Sequence, residues 1–182
     1  MSCIITPTFI YLHPPKTGGR TVSTILKRAT NDYIESRGHV PLRTFNKNRD
    51  LSKLKIIATV RNPFDRMVSL WYIRARHKGI KFIQFIESVI SGRDPWYATK
   101  PQSYWLTLGN QIPNIILIRF EELQRDLQAT MLFLDLPLPN TIPHINKTDG
   151  RSKGYRKYYK RCGIQAVTEL YSDDLKLFGY RF

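Results

Sequence analysis

Phe9-Ile10-Tyr11-Leu12-His13-Pro14-Pro15-Lys16-Thr17-Gly18-Gly19-Arg20-Thr21 is the stretch on which the fold turns. An apolar, strand-like run stops at two prolines, crosses a lysine and two glycines, and continues into Val22, Ile25, Leu26 and Ala29 at helical spacing. Strand, glycine turn and helix start together form an anion cradle. The first N–H groups of a helix lack intrahelical partners, and the helix dipole favours negative charge at that end. Gly18 and Gly19 let the backbone approach a ligand closely, Thr17 and Thr21 offer hydroxyl donors, and Lys16 adds a mobile cation. The alternative is a basic strand-to-helix turn that holds nothing. The triphosphate-binding loop, Gly-x-x-x-x-Gly-Lys-Ser/Thr, places its lysine after the glycines; here Lys16 precedes them. The strands Ile56–Val60 and Ile115–Ile118 run into Arg61 and Arg119, where an NTPase needs a magnesium-holding acid. The pattern disfavours an NTPase and points to a phosphate or sulfate ligand.

With these residues in view, the chain resembles the sulfotransferase superfamily, whose members use 3′-phosphoadenosine 5′-phosphosulfate (PAPS). The nearest likeness is to its carbohydrate branch, the Golgi-type and heparan or uronyl 2-O-like enzymes. Pro15-Lys16-Thr17-Gly18-Gly19-Arg20-Thr21 is similar to that branch's 5′-phosphosulfate loop, and residues 13–21 mark its extent. Residues 58–69, Ala-Thr-Val-Arg-Asn-Pro-Phe-Asp-Arg-Met-Val-Ser, are similar to its 3′-phosphate segment, Arg-(Asp/Asn)-Pro-x-x-Arg-x-x-Ser. Arg119-Phe120-Glu121-Glu122-Leu123, Pro143-His144-Ile145-Asn146-Lys147-Thr148 and Phe178-Gly179-Tyr180 match further landmarks in the family's order. The resemblance implies a P-loop-containing nucleotide hydrolase-like topology, PAPS as donor with adenosine 3′,5′-bisphosphate as product, no metal, and a hydroxyl-bearing acceptor, here a carbohydrate.

Bulk properties bound the answer. The 182 residues suit one domain, 1–182, with a sizeable core. Lys plus Arg number 29 against 14 Asp plus Glu, a formal charge of +15, so the surface carries positive fields that gather anions. Nucleic acid, polyanionic nucleotides and acidic glycans all meet such a field. Cys3 and Cys162 are too few for a disulfide framework and are expected reduced. Residues 1–10 lack a signal peptide's basic start and long apolar core, and no run reaches the length of a membrane span. The expectation is a cytoplasmic or otherwise soluble protein.

Periodicity predicts alternating strands and helices. Strand Thr8–His13 leads to helix Thr21–Arg28, and strand Lys55–Val60 to a helix from about Asp65 to His77. Helix Lys81–Ile90, strand Asn114–Phe120, helix Glu122–Leu134 and a last helix Ala166–Lys176 follow. This is an α/β pattern with a central parallel sheet flanked by helices. In such sheets ligands gather beyond the carboxyl ends of the strands, which directs both phosphate segments to one cleft.

Roles follow from the resemblance. Lys16 meets the bridging oxygen as the 5′-phosphate departs, while Thr17, Gly18, Gly19, Arg20 and Thr21 hold that phosphate. Arg61 and Ser69 hold the 3′-phosphate. Arg66 either joins them or pairs with Asp65 or Glu121 at the surface. For the base, Gly38-His39-Val40 is similar to the segment carrying the histidine of uronyl 2-O-sulfotransferases. Imidazole suits proton abstraction near neutral pH. Glu35 is the competing base, and a loop histidine without chemistry is the bland alternative. His13 shapes the loop. The segment at about 147–161 carries seven cations, among them Lys147, Arg151 and Lys153, against Asp149, with Tyr155, Tyr158 and Tyr159 interleaved. As a bare pattern it suits single-stranded nucleic acid, whose bases stack on aromatic rings. In the sulfotransferase reading it closes over the donor through Arg151, Lys153 and Gly154. Two rivals remain: a nucleic-acid-binding module without chemistry, and a kinase-like phosphotransferase.

Overall fold

The computed structural model describes residues 3–36, 38–46, 50–109, 111–139 and 154–182. The chain divides into two compact units, Met1–Val60 with Gln102–Asn146, and Arg61–Pro101 with Lys147–Phe182. Arg151, Lys153, His144 and Lys147 lie outside the described residues.

The first unit holds the sheet. Its strands are β1 (Cys3–Ile5), β2 (Phe9–Leu12), β3 (Ile34–Ser36), β4 (Lys55–Val60) and β5 (Ile115–Arg119), in the order β3-β1-β2-β4-β5. Its helices are α1 (Gly19–Ala29), α2 (Leu42–Asn46), α5 (Gln102–Leu106) and α6 (Leu123–Phe133). The strands β2, β4 and β5 are parallel, Leu12 facing Ala58 and Val60 facing Arg119. The parallel centre is as expected, and an antiparallel extension is added to it, because β1 pairs antiparallel with both β2 and β3. The cause is local. Only Thr6-Pro7-Thr8 separates β1 from β2, and a link that short closes a hairpin but cannot make a crossover. Thr6 locks the turn, its N–H donating to the Phe9 carbonyl at 2.9 Å and its hydroxyl oxygen accepting from the Phe9 N–H at 2.9 Å. Two successive antiparallel pairings restore direction, so β3 runs the same way as β2 and ends at the same sheet edge.

The core of this unit lies where Val22, Ile25 and Leu26 of α1 and Leu127 and Met131 of α6 meet Ile4, Phe9, Tyr11, Ile57 and Ile118 of the sheet. Helical spacing on α1 and α6 places those residues on one stripe, and burying a stripe against a sheet is what stabilises such helices in water.

The second unit is helical: α3 (Pro63–Arg74), α4 (Phe82–Ile90), α7 (Arg161–Leu170) and α8 (Ser172–Phe178). Phe64, Met67, Val68, Phe82, Phe85, Ile86, Val167 and Tyr171 form its core. The single last helix expected at Ala166–Lys176 is two, divided at Tyr171. That ring is fully buried and its hydroxyl donates to the Thr99 carbonyl at 2.6 Å, an anchor that local periodicity does not register.

Candidate functional site

The loop from His13 to Gly18 leaves the carboxyl end of β2 and delivers α1. Gly18 caps the helix in the left-handed conformation, φ 83°, with no side-chain cap, and no acid lies in the first turn. The Gly18 and Gly19 N–H groups find no acceptor among the described residues. This end of α1 therefore offers donors and dipole to an anion. Both glycines are also dictated by packing. A Cβ on Gly18 would lie 2.7 Å from the Phe120 ring, and one on Gly19 would lie 2.0 Å from the His13 ring. Lys16, half-buried, also has a positive φ of 70°, a conformation that costs a non-glycine residue roughly 1–3 kcal/mol. Such strain at an ion-bearing turn is characteristic of a functional site.

A chain of buried hydroxyls fixes the loop from beneath. Thr17 Oγ1 donates to the Pro14 carbonyl at 2.8 Å and lies 2.8 Å from Thr59 Oγ1 on β4. Thr59 is in turn 3.2 Å from the Tyr11 hydroxyl on β2. Each hydroxyl has one proton. With the Thr17 proton on Pro14 and the Tyr11 hydroxyl donating to the Gly19 carbonyl at 3.4 Å, the Thr59 proton is left to link the Thr17 and Tyr11 oxygens. Burial raises the Tyr11 pKa well beyond the ordinary phenol range, so it stays a donor. The Thr17 hydroxyl is thus turned inward, and what Thr17 can offer an anion is its backbone. Tyr11 and Thr59 were not singled out from the sequence. The available signal was two polar residues inside apolar strands, which implies a shared buried partner.

His39 lies beyond the end of β3, at the edge where the loop begins. Its Nδ1 is 2.8 Å from the His13 carbonyl oxygen, and its ring meets the His13 ring edge-on at 4.8 Å. A carbonyl only accepts, so Nδ1 carries the proton and Nε2 holds the lone pair of the neutral ring. Burial, and then the neighbouring His39, push the His13 imidazole down to about 3, which keeps it uncharged. Glu35 lies on β3 opposite Ile4 and forms an ion pair with Lys27 of α1 at 2.5 Å.

In the second unit, Arg61 is buried and bound to Asp65 through Nε at 2.7 Å and Nη2 at 2.6 Å. Asn62 caps α3, accepting from the Phe64 N–H at 3.0 Å and donating to the Arg181 carbonyl at 2.8 Å. Ser69 is buried within α3, 1% exposed. Arg66 corrects the expectation of a surface ion pair. It is fully buried, and its Nη2 donates to the carbonyls of Ala98 at 2.6 Å and Lys100 at 2.9 Å. Its guanidinium also lies 5.7 Å from the centre of the Tyr171 ring. Asp65, the expected partner, is held by Arg61 instead. Arg66 is therefore a strut of this unit.

The tyrosines of the basic segment are packed in the same way. Tyr155 stacks on Phe64 at 6.4 Å, Tyr159 donates to the Phe64 carbonyl at 2.8 Å, and the Tyr158 and Tyr72 hydroxyls are 2.7 Å apart. These rings are part of an aromatic cluster, which removes the stacking platform on which the nucleic-acid reading relied. Gly154 is exposed with φ 86°.

Comparison with known proteins follows the same line. A model of the sulfotransferase domain matches residues 19–160. Over 111 residues the chain is 32% identical to sulfotransferase 2B1 of Mus musculus, a stretch covering 55% of this chain and 32% of that protein. The chain thus matches about a third of that relative's length. The crystal structure of mouse sulfotransferase SULT7A1 complexed with PAP superposes with a TM-score of 0.59 at 15% identity, covering 91% of this chain and 83% of that one. At that identity the likeness is one of fold. No helix among the described residues is long and apolar enough to cross a membrane.

Proposed function

The chain belongs to the sulfotransferase domain family, and on that premise we propose that it moves a sulfuryl group from PAPS to a hydroxyl of a carbohydrate acceptor by in-line displacement. The observation that carries the reading is the bond from His39 Nδ1–H to the His13 carbonyl. It ties a base, with its lone pair on Nε2, to the first residue of an anion-binding loop. PAPS supplies the phosphosulfate anhydride whose S–O bond is broken. Gly18 and Gly19 donate backbone N–H bonds to its 5′-phosphate, with Arg20 and Thr21 beside them on the first turn of α1. Lys16 places its ammonium where charge grows on the departing oxygen, an interaction strongest in the transition state. His39 Nε2 takes the acceptor proton.

Arg61 and Ser69 are assigned to the 3′-phosphate, and Arg151, Lys153 and Gly154 to closure over it. β2 and β4 pair in parallel within the first unit, and the two phosphate segments, beginning at His13 and at Arg61, directly follow them in the chain. The inward packing of Arg66, whose Nη2 is held by the Ala98 and Lys100 carbonyls, favours a structural role for it over a contact to the 3′-phosphate. Glu35 is the weaker base, being held by Lys27 on the outermost strand.

Thermal melting with adenosine 3′,5′-bisphosphate and with AMP tests the donor site, because a ligand that binds only the folded state raises Tm by mass action. The bisphosphate raises Tm clearly, AMP does much less, and Arg61→Ala erases the difference. Equal shifts from both nucleotides would show that the 3′-phosphate is not read.

A further inference from the structure

His39 is the inner end of a row of stacked side chains that runs outward to an exposed cation. Its ring meets Trp105 at 6.0 Å, Trp105 meets Tyr104 edge-on at 5.3 Å, and the Arg43 guanidinium lies 4.2 Å from the centre of the Tyr104 ring. Trp105 is 4% exposed and anchors the row, whereas Arg43 faces solvent. Arg43 is not a loose surface arginine. Its Nη1 donates to the Tyr104 carbonyl at 2.8 Å, so one bond and one ring face hold the fork in a single orientation. A guanidinium has five N–H donors. The four that remain find no acceptor among the described residues, and no carboxylate there neutralises the charge. The acid of the nearby edge strand, Glu35, is already held by Lys27.

A planar cation fixed against an aromatic ring, with its remaining donors turned outward, is suited to bidentate capture of a carboxylate or sulfate. Pre-fixing the fork also lowers the ordering cost of capture. Only Val40, Pro41 and Leu42 separate Arg43 from His39, so the two are at most about 14 Å apart, a span that one or two sugar rings cover. We infer that Arg43, held by Tyr104, is the acceptor-specificity residue, selecting a carbohydrate that carries a carboxylate or sulfate near the hydroxyl presented to His39. The inference rests on the sulfuryl-transfer reading above and extends it from a generic hydroxyl to an acidic glycan. Alignment of the acceptor by a fixed anion contact raises the fraction of encounters in which the hydroxyl faces the base.

The test uses the full chain, labelled PAPS and three polymers: unsulfated chondroitin, its carboxyl-reduced neutral form, and carboxyl-reduced chondroitin 4-sulfate. The expected result is a 10- to 100-fold higher kcat/KM, in order of magnitude, for at least one acidic polymer over the neutral one. Which acidic polymer wins identifies the anion. Arg43→Ala removes that preference while the Tm shift with adenosine 3′,5′-bisphosphate stays at the parent value, and Arg43→Lys, which keeps charge without the fork, restores only part of it. Equal use of the three polymers, or a preference that survives Arg43→Ala, overturns the inference. No transfer to any polymer with bisphosphate binding intact overturns the acidic-glycan class and leaves the donor site standing. Loss of bisphosphate binding in the parent protein overturns the reading on which the inference depends.

Discussion

Two helix starts in this molecule read alike in sequence and are built oppositely. Each follows a parallel strand through a short turn that carries a cation, Lys16 before α1 and Arg61 before α3. At α1 no side chain caps the helix, no acid lies in the first turn, and the Gly18 and Gly19 N–H groups lack acceptors among the described residues. At α3, Asn62 caps the Phe64 N–H, Pro63 has no N–H to offer, and Asp65 of the first turn holds Arg61. An anion at α1 meets open backbone donors. An anion at α3 meets a finished cap and must compete with Asp65 for the guanidinium. The lesson is that a shared strand–turn–helix outline does not make two equivalent helix starts: one presents open backbone donors, the other is already capped.

If the open start carries the chemistry, substitutions there reduce rate and those at the closed start reduce stability or affinity. The largest effect belongs to His39→Ala, which loses roughly 10²–10⁴-fold in turnover while still binding adenosine 3′,5′-bisphosphate. Retained turnover, with Glu35→Gln inactive instead, would move the base to Glu35. Next comes Lys16→Ala, expected to lower kcat about 100-fold with a smaller change in donor affinity. A raised KM at unchanged kcat would make Lys16 a ground-state anchor and erase the kinetic distinction between the two starts.

The third effect is on stability against pH. His13 takes a proton near 6.5 when unfolded but only at about 3 when buried beneath the open loop. Between those values the unfolded state holds more protons, so stability is full above pH 6.5 and falls by a few kcal/mol as pH drops toward 3. His13→Gln flattens this dependence in urea unfolding across that range, and an unchanged slope would assign the acid loss to other groups. The smallest effect is at the closed start. Arg66→Met strips the Ala98 and Lys100 carbonyls of their donor and lowers unfolding free energy by about 2 kcal/mol. Binding of the bisphosphate by the protein that remains folded is unchanged. A mutant of parent stability that no longer binds it would return Arg66 to the ligand set.

The carboxyl-end elements were legible because their information is local. The break from Leu12 through Pro14-Pro15 to Gly18-Gly19, and the 3.6-residue spacing of Val22, Ile25 and Leu26, follow from backbone sterics and amphipathicity within a dozen residues. The short strands β1 and β3 escaped for the opposite reason. Each has three residues, too few to show a period, and β3 pairs only with β1, a segment far away in sequence. Arg66 and Tyr155 misled because charge and aromaticity suggest a surface role until a core is found to contain them.

By itself the sequence determined the α/β alternation, the loop of Lys16 to Thr21, the basic charge and the resemblance to sulfotransferases. These rest on residue type and short spacing, which the chain displays without folding. Only the tertiary structure decided which polar atoms face inward. Thr17 meets Thr59 across 42 positions, His39 meets the His13 carbonyl across 26, and Arg66 reaches Ala98 across 32. A buried hydroxyl, imidazole or guanidinium must find a partner wherever the chain brings one. That partner, set by packing at long sequence separation, fixes which groups are left to face a ligand.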